Sequence, residues 1–238
     1  MRGARPVWPT GSMHRSMGPE GHADGGLLAA AREHARQGRF EPALDACREA
    51  ITGSPGHAAA WRLCGELELR LGRLQAARDA LTRAVQLAPD SAATRISLSR
   101  CLLRAGDATD AVAQIEAAVA IEPAQAAVQN QAGELLGRLG RLDQAAALFR
   151  RASQLDPDLM AAQFNIAMAD LARGDMGAAL VSLQTVTGRW PGLAVGWLQL
   201  GGVLNASGRY LEAERALRRH LELDTDSVAG QIWLGAAL

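Results

Sequence analysis

Residues 126–159 read AAVQNQAGELLGRLGRLDQAAALFRRASQLDPDL. Gln129, Ala132, Gly133 and Leu136 stand at the i, i+3, i+4, i+7 spacing of one helix face. Leu139-Gly140-Arg141 interrupts that stripe, and Leu142, Ala145, Leu148, Phe149 and Ala152 form a second one. Gly140 sits where the first helix should stop and the chain turn left-handed. Asp156-Pro157-Asp158 closes the stretch, because proline lacks the N–H and clashes with the preceding turn. Two antiparallel helices follow from these 34 residues.

The same pattern runs along most of the chain. Gly recurs at Gly38, Gly72, Gly106, Gly140, Gly174 and Gly208, Ala at Ala43, Ala77, Ala111, Ala145, Ala179 and Ala213, and Pro at Pro55, Pro89, Pro123, Pro157 and Pro191, always at intervals of 34. Asp90, Ser91, Asp158, Asp226 and Ser227 follow the proline position and suit the cap of the next helix. Residues 1–26 break the pattern. They are rich in Gly, Pro, Ser and Met and predict a disordered N-terminal tail ahead of a repeat domain at 27–238.

Composition narrows the chemistry. The 238 residues carry zero formal net charge, with 25 cations balancing 25 anions, which argues against a nucleic-acid binder. All 25 cations are arginine, so Schiff-base chemistry, a lysine base and a phosphate-loop lysine are excluded. No apolar run is long enough to span a membrane, and Arg32 and Glu33 cut off the only apolar stretch near the N-terminus. Cys47, Cys64 and Cys101 fit no metal or redox spacing and occupy apolar slots of the repeat, which suggests inert core thiols in a reducing compartment. His14, His22, His34, His57 and His220 share no helix face. The reading is a non-enzyme in the cytoplasm, with no cofactor and no metal.

The unit resembles the tetratricopeptide repeat, whose signature is W-x-x-L-G-x-x-Y followed by A, F, A and P. Trp197-x-x-Leu200-Gly201-x-x-Leu204 and Trp61-x-x-Cys64-Gly65-x-x-Glu68 carry the likeness best. With Ala43 as position 20, repeats begin near residues 24, 58, 92, 126, 160 and 194, and a half repeat occupies 228–238. The resemblance implies an all-α fold, a right-handed α-solenoid of stacked helix-turn-helix repeats. Small residues at positions 8, 20 and 27 mark close helix crossings. His220 at position 27 and Thr225 in place of proline predict a looser fit at the last junction.

The resemblance further implies that positions 2, 5, 6, 9, 12 and 13 of each first helix face inward and bind. Position 13 reads Arg36, Arg70, Arg104 and Arg138, and Arg32, Arg62 and Arg100 join them against Glu66 and Glu134. Gln131, Asn165 and Gln199 at position 6 offer side-chain amides that match a peptide unit as both donor and acceptor, and Asn130 stands at position 5 beside them. Phe164, Met168, Leu171 and Leu198 are expected to present an apolar surface in the last units. The implied function is a protein-interaction scaffold that holds a peptide or protein segment, acidic at one end, in its concave face. The alternative is the N-terminal recruiting arm of a longer glycosyltransferase, sulfotransferase or methyltransferase. The uncharged last helix, Val228 onward, lacks a second helix to cover it, which predicts self-association or a covering partner there.

Overall fold

The structure is a computed structural model that describes residues 21–238, with side chains from Gly26 onward. Residues 1–20 of the expected tail lie outside it. Among the described residues there are thirteen α-helices and no strand. The chain divides into two compact units, Met1–Glu122 and Pro123–Leu238.

The first unit holds three helical hairpins: α1 (Gly21–Arg36) with α2 (Phe40–Gly53), α3 (Ala58–Arg70) with α4 (Leu74–Leu87), and α5 (Ala92–Ala105) with α6 (Ala108–Ile121). The second holds α7 (Ala126–Arg138) with α8 (Leu142–Leu155), α9 (Met160–Ala172) with α10 (Met176–Arg189), α11 (Ala194–Ala206) with α12 (Tyr210–Leu223), and a last helix, α13 (Val228–Ala237). From α3 onward the first helix of each hairpin starts 34 residues after its predecessor. The first helix, at 16 residues, is longer than the 13 or 14 of α3, α5, α7, α9 and α11. It begins at Gly21, so residues 21–26 are helical rather than tail. Leu28 is buried against the core of its hairpin, and a helix nucleated there extends backward with one backbone bond gained per residue fixed.

Each hairpin turn is built the same way. Gly140 takes φ 74° and Gly106 takes φ 89°, a left-handed conformation that a side chain disfavours. The next amide then reaches back over the helix end: Arg141 N–H donates to the Leu136 carbonyl at 3.0 Å and Asp107 N–H to that of Leu102 at 2.9 Å. Ser91 and Ser227 cap α5 and α13, and His57 Nδ1 caps α3. Asp158 does not cap α9, whose N-cap is Leu159.

The family's tryptophan slot is filled by hydrogen-bond donors. Trp61 Nε1 donates to the Pro55 carbonyl at 2.8 Å and Trp197 Nε1 to that of Pro191 at 2.9 Å. At the same position Arg95 reaches Pro89 and Gln129 reaches Pro123, at 3.0 and 3.1 Å. In these four repeats the slot supplies an N–H on a long stem to a proline carbonyl; in the fifth, Gln163 donates to Ser153 Oγ and Arg189 satisfies the Pro157 carbonyl.

Hairpins close by inserting a large side chain over a glycine. A methyl group on Gly65 would meet Leu81 at 2.5 Å, one on Gly133 would meet Phe149 at 2.7 Å, and one on Gly201 would collide with Leu217. Successive hairpins match by size. Position 27 is Ala50 or Ala152 where the following contact residue is Ala60 or Ala162. Where it grows to Val186 or His220, the contact residue shrinks to Gly196 or Gly230. The last junction is therefore not loose. His220 is 2% exposed, and its ring lies where a Gly230 side chain would be. Its Nδ1 meets the Ala194 carbonyl at 2.9 Å and its Nε2 meets Ser227 Oγ at 2.7 Å.

Candidate functional site

In the first unit the inward positions of α1, α3 and α5 carry six arginines. Arg32, Arg36, Arg70 and Arg104 are exposed, and Arg62 and Arg100 are half-buried. Several are committed to the protein. Arg36 pairs with Glu33 at 3.0 Å, and Arg62 with Glu66 at 2.7 Å. Glu66 also accepts from Ser97 Oγ at 2.6 Å. Arg104 donates to the Leu69 carbonyl at 2.7 Å, on the negative end of α3. The Arg70 guanidinium lies 5.6 Å above the Phe40 ring, which leaves its N–H edges outward. Arg32 and Arg100 make no hydrogen bond or ion pair among the described residues.

The second unit presents a different surface. Asn130 is buried, at 6% exposure, although its position suggested an accessible amide. Its Nδ2 donates to Glu134 Oε1 at 2.8 Å and its Oδ1 accepts from Asn165 Nδ2 at 3.0 Å. Asn165 Nδ2 also approaches Glu134 Oε1 at 3.2 Å. The two asparagines thus bond to each other and to one carboxylate, and neither amide is whole for a peptide backbone. A glutamate reached by two neighbouring amides is a contact that the inward pattern alone did not reveal.

Around this triad lies an open cleft of about 430 Å³ that includes Arg138, Phe149 and Met168. A second cleft, of about 300 Å³, is lined by Leu171, Gln199, Gly202 and Trp233. The clefts occupy the same place in successive repeats, between the end of one first helix and the middle of the next. Gln131 is half-buried. Phe164, Met168, Leu171 and Leu198 are half-buried too and pack on a core built from α9 to α12, while Met168 and Leu171 also line the clefts.

Burial pushes the Cys47 and Cys64 thiols up to about 12, far from the thiolate that attacks. No group of His, Cys, Asp and Glu side chains that could hold a metal ion occurs among the described residues. The described helices include none long and apolar enough to cross a membrane.

These features define a helical repeat protein of the all-α solenoid class. The chain belongs to the tetratricopeptide repeat family: one family model described as tetratricopeptide repeat matches residues 28–92 and 130–194, and a second matches 68–135. Among curated proteins, none matches the sequence. Solved structures share the fold. PilW, a type IV pilus biogenesis factor, is 20% identical with a TM-score of 0.78, and the match covers 89% of this chain and 98% of PilW. YrrB, described as a TPR protein with an unusual peptide-binding site, is 18% identical with a TM-score of 0.60 over 79% of this chain and 97% of its own. In the APC/C hetero-tetramer Cut9–Hcn1 the matching chain is 17% identical with a TM-score of 0.70, and this chain's 89% spans only 42% of that longer one. Membership in this family supports a protein-interaction scaffold.

Proposed function

We propose that the protein is a non-catalytic scaffold that holds a peptide or protein segment along its first-helix face, with an acidic stretch of the segment over the first unit. The observation that carries this is the arginine row. Arg32 and Arg100 have no counter-charge of their own, and Arg70 and Arg104 stand exposed beside them. Guanidinium groups without protein anions are suited to carboxylates of a partner, which they bind with two parallel N–H donors. A cytoplasmic setting belongs to the same reading, supported by three free, buried thiols.

A Glu-rich dodecapeptide tests it by fluorescence anisotropy. Affinity should fall about tenfold or more between roughly 50 and 500 mM salt, and by a similar factor in the R70A/R100A/R104A variant with helicity retained. Unchanged affinity in that variant, or salt-independent binding, would overturn the acidic-partner reading.

A second reading is favoured by α13. Gly65, Gly133 and Gly201 each receive a side chain from a covering helix, whereas Gly235 in the same register meets nothing within 4 Å. A further helix fits there, from a second copy, a partner, or a longer enzyme of which the repeats are the recruiting arm. Sedimentation of the protein alone, and reading the transcript beyond codon 238, distinguish these sources.

A further inference from the structure

Glu134 and Arg138 stand four residues apart on α7, in the order that favours an ion pair on one helix face. They do not pair. Among the described residues no cation lies within ion-pair distance of Glu134, and the ion pairs of this region belong to Asp143 and Asp170. Glu134 is drawn instead toward the Asn130 and Asn165 amides, both of which address Oε1. Asn130 is itself buried, so this carboxylate is held by a fixed donor rather than by a mobile surface chain. One oxygen is tethered while the other, and the negative charge, remain for the cleft.

The cleft beside it is lined mainly by apolar groups, among them Phe149, Met168, Ala169 and Ala172, together with Asn165 and Arg138. A largely apolar cleft that includes a fixed carboxylate matches one kind of side chain: a hydrocarbon stem with a cationic head. An acidic side chain would meet like charge there. A purely apolar one would cover Glu134 and strip its water without compensation.

We propose that this cleft is a subsite for a lysine or arginine side chain of the bound segment, its stem on Met168 and Ala172 and its head on Glu134. The proposal rests on the reading of the first-helix face as the surface that takes a peptide, and it adds a selectivity for basic residues at this one repeat. Arg138 is the internal competitor. It lines the same cleft, and its charge opposes an incoming cation.

The test uses the full chain, ¹⁵N-labelled, titrated with the capped pentapeptide Ala-Ala-Lys-Ala-Ala and with its norleucine and glutamate counterparts. The lysine peptide should move the side-chain amide signals of Asn130 and Asn165 saturably, and the other two should not. Glu134→Gln should weaken the lysine response about tenfold or more, while Arg138→Ala, which removes the competitor, should strengthen it. Equal response to lysine and norleucine, an unchanged Glu134→Gln variant, or no response to lysine overturns the proposal. The R70A/R100A/R104A variant should keep the lysine response. A protein that fails with the Glu-rich peptide yet passes here loses the acidic-partner reading and keeps this one.

Discussion

Arg48 of one hairpin meets Glu68 of the next, with Nη2 donating to Oε1 at 3.1 Å. Glu68 is fully buried and is also approached by Arg73, which reaches out to Glu41. The arrangement recurs in the second unit. Arg150 meets the buried Asp170 at 3.2 Å, and Arg173 bridges Asp170 to Asp143. Glu68 and Asp170 share position 11 of the repeat, where His34 stands in the first repeat and Leu102, Leu136, Leu204 and Leu238 in the others. Arg48 and Arg150 share position 25 of the repeat before; Thr82, Glu116 and Gln184 stand there before Leu102, Leu136 and Leu204, and Arg218 before Leu238. An arginine thus accompanies each buried carboxylate.

Breaking one such pair should cost more than deleting it. Arg48→Ala leaves Glu68 buried with Arg73 alone and is expected to destabilise by about 2–4 kcal/mol. The double variant Arg48→Ala/Glu68→Leu introduces the leucine of most other repeats and should lie within about 1 kcal/mol of the parent. Urea denaturation of the two variants checks this. Equal losses would show that the charges do not act as a pair.

Two glycines in one register should respond oppositely. A methyl group at Gly201 would collide with Leu217, which is fully buried and cannot move aside, so Gly201→Ala should cost on the order of 1–3 kcal/mol. Gly235→Ala meets open space and should stabilise α13 by up to about 1 kcal/mol through helix propensity. Thermal unfolding followed by circular dichroism separates the two signs.

His220 fastens the last helix. If Nδ1 donates to the Ala194 carbonyl, Nε2 accepts from Ser227, which caps α13 by accepting from Gly230 N–H. His220→Ala removes both ring contacts and opens a void beside Gly230. Amide exchange from Val228 onward should accelerate in that variant, while exchange in α11 changes little. Uniform acceleration across the second unit would mean that the ring supports the core as a whole.

The thiols supply a pH dependence. Burial raises Cys47 and Cys64 from 9.0 to about 12, so the folded state favours the protonated form. That contribution to stability is complete below pH 9 and declines as pH rises from 9 towards 12, because the unfolded chain releases protons first. Denaturation midpoints should fall across that range, less steeply in a Cys47→Ala/Cys64→Ala variant. Below pH 9 a thiol reagent should label these two cysteines only as fast as the unit opens.

The inward face divides into what a repeat register can reveal and what it cannot. Arg36, Arg70 and Arg104 are exposed on first helices. Register alone is silent about which side chains have already been spent. Asn130 and Asn165 were legible as amides, but not as each other's partners and not as ligands of Glu134. His220 read as a misfit because its ladder was inspected without the contact ladder that ends in Gly230. Reading position 27 beside position 3 of the following repeat would have found the match.

What the sequence determined by itself was the helical hairpin and its period. A glycine that permits positive φ and a proline without an N–H act on the backbone within a few bonds, so their spacing alone dictates where helices stop. What only the tertiary structure decided was pairing across hairpins: Arg48 with Glu68, Asn165 with Glu134, His220 with Gly230. These partners lie 10 to 31 residues apart in the chain, and their contacts depend on how one packed helix is rotated and seated against the next. No local propensity encodes that rotation, because it emerges from the fit of side-chain volumes once the helices have formed.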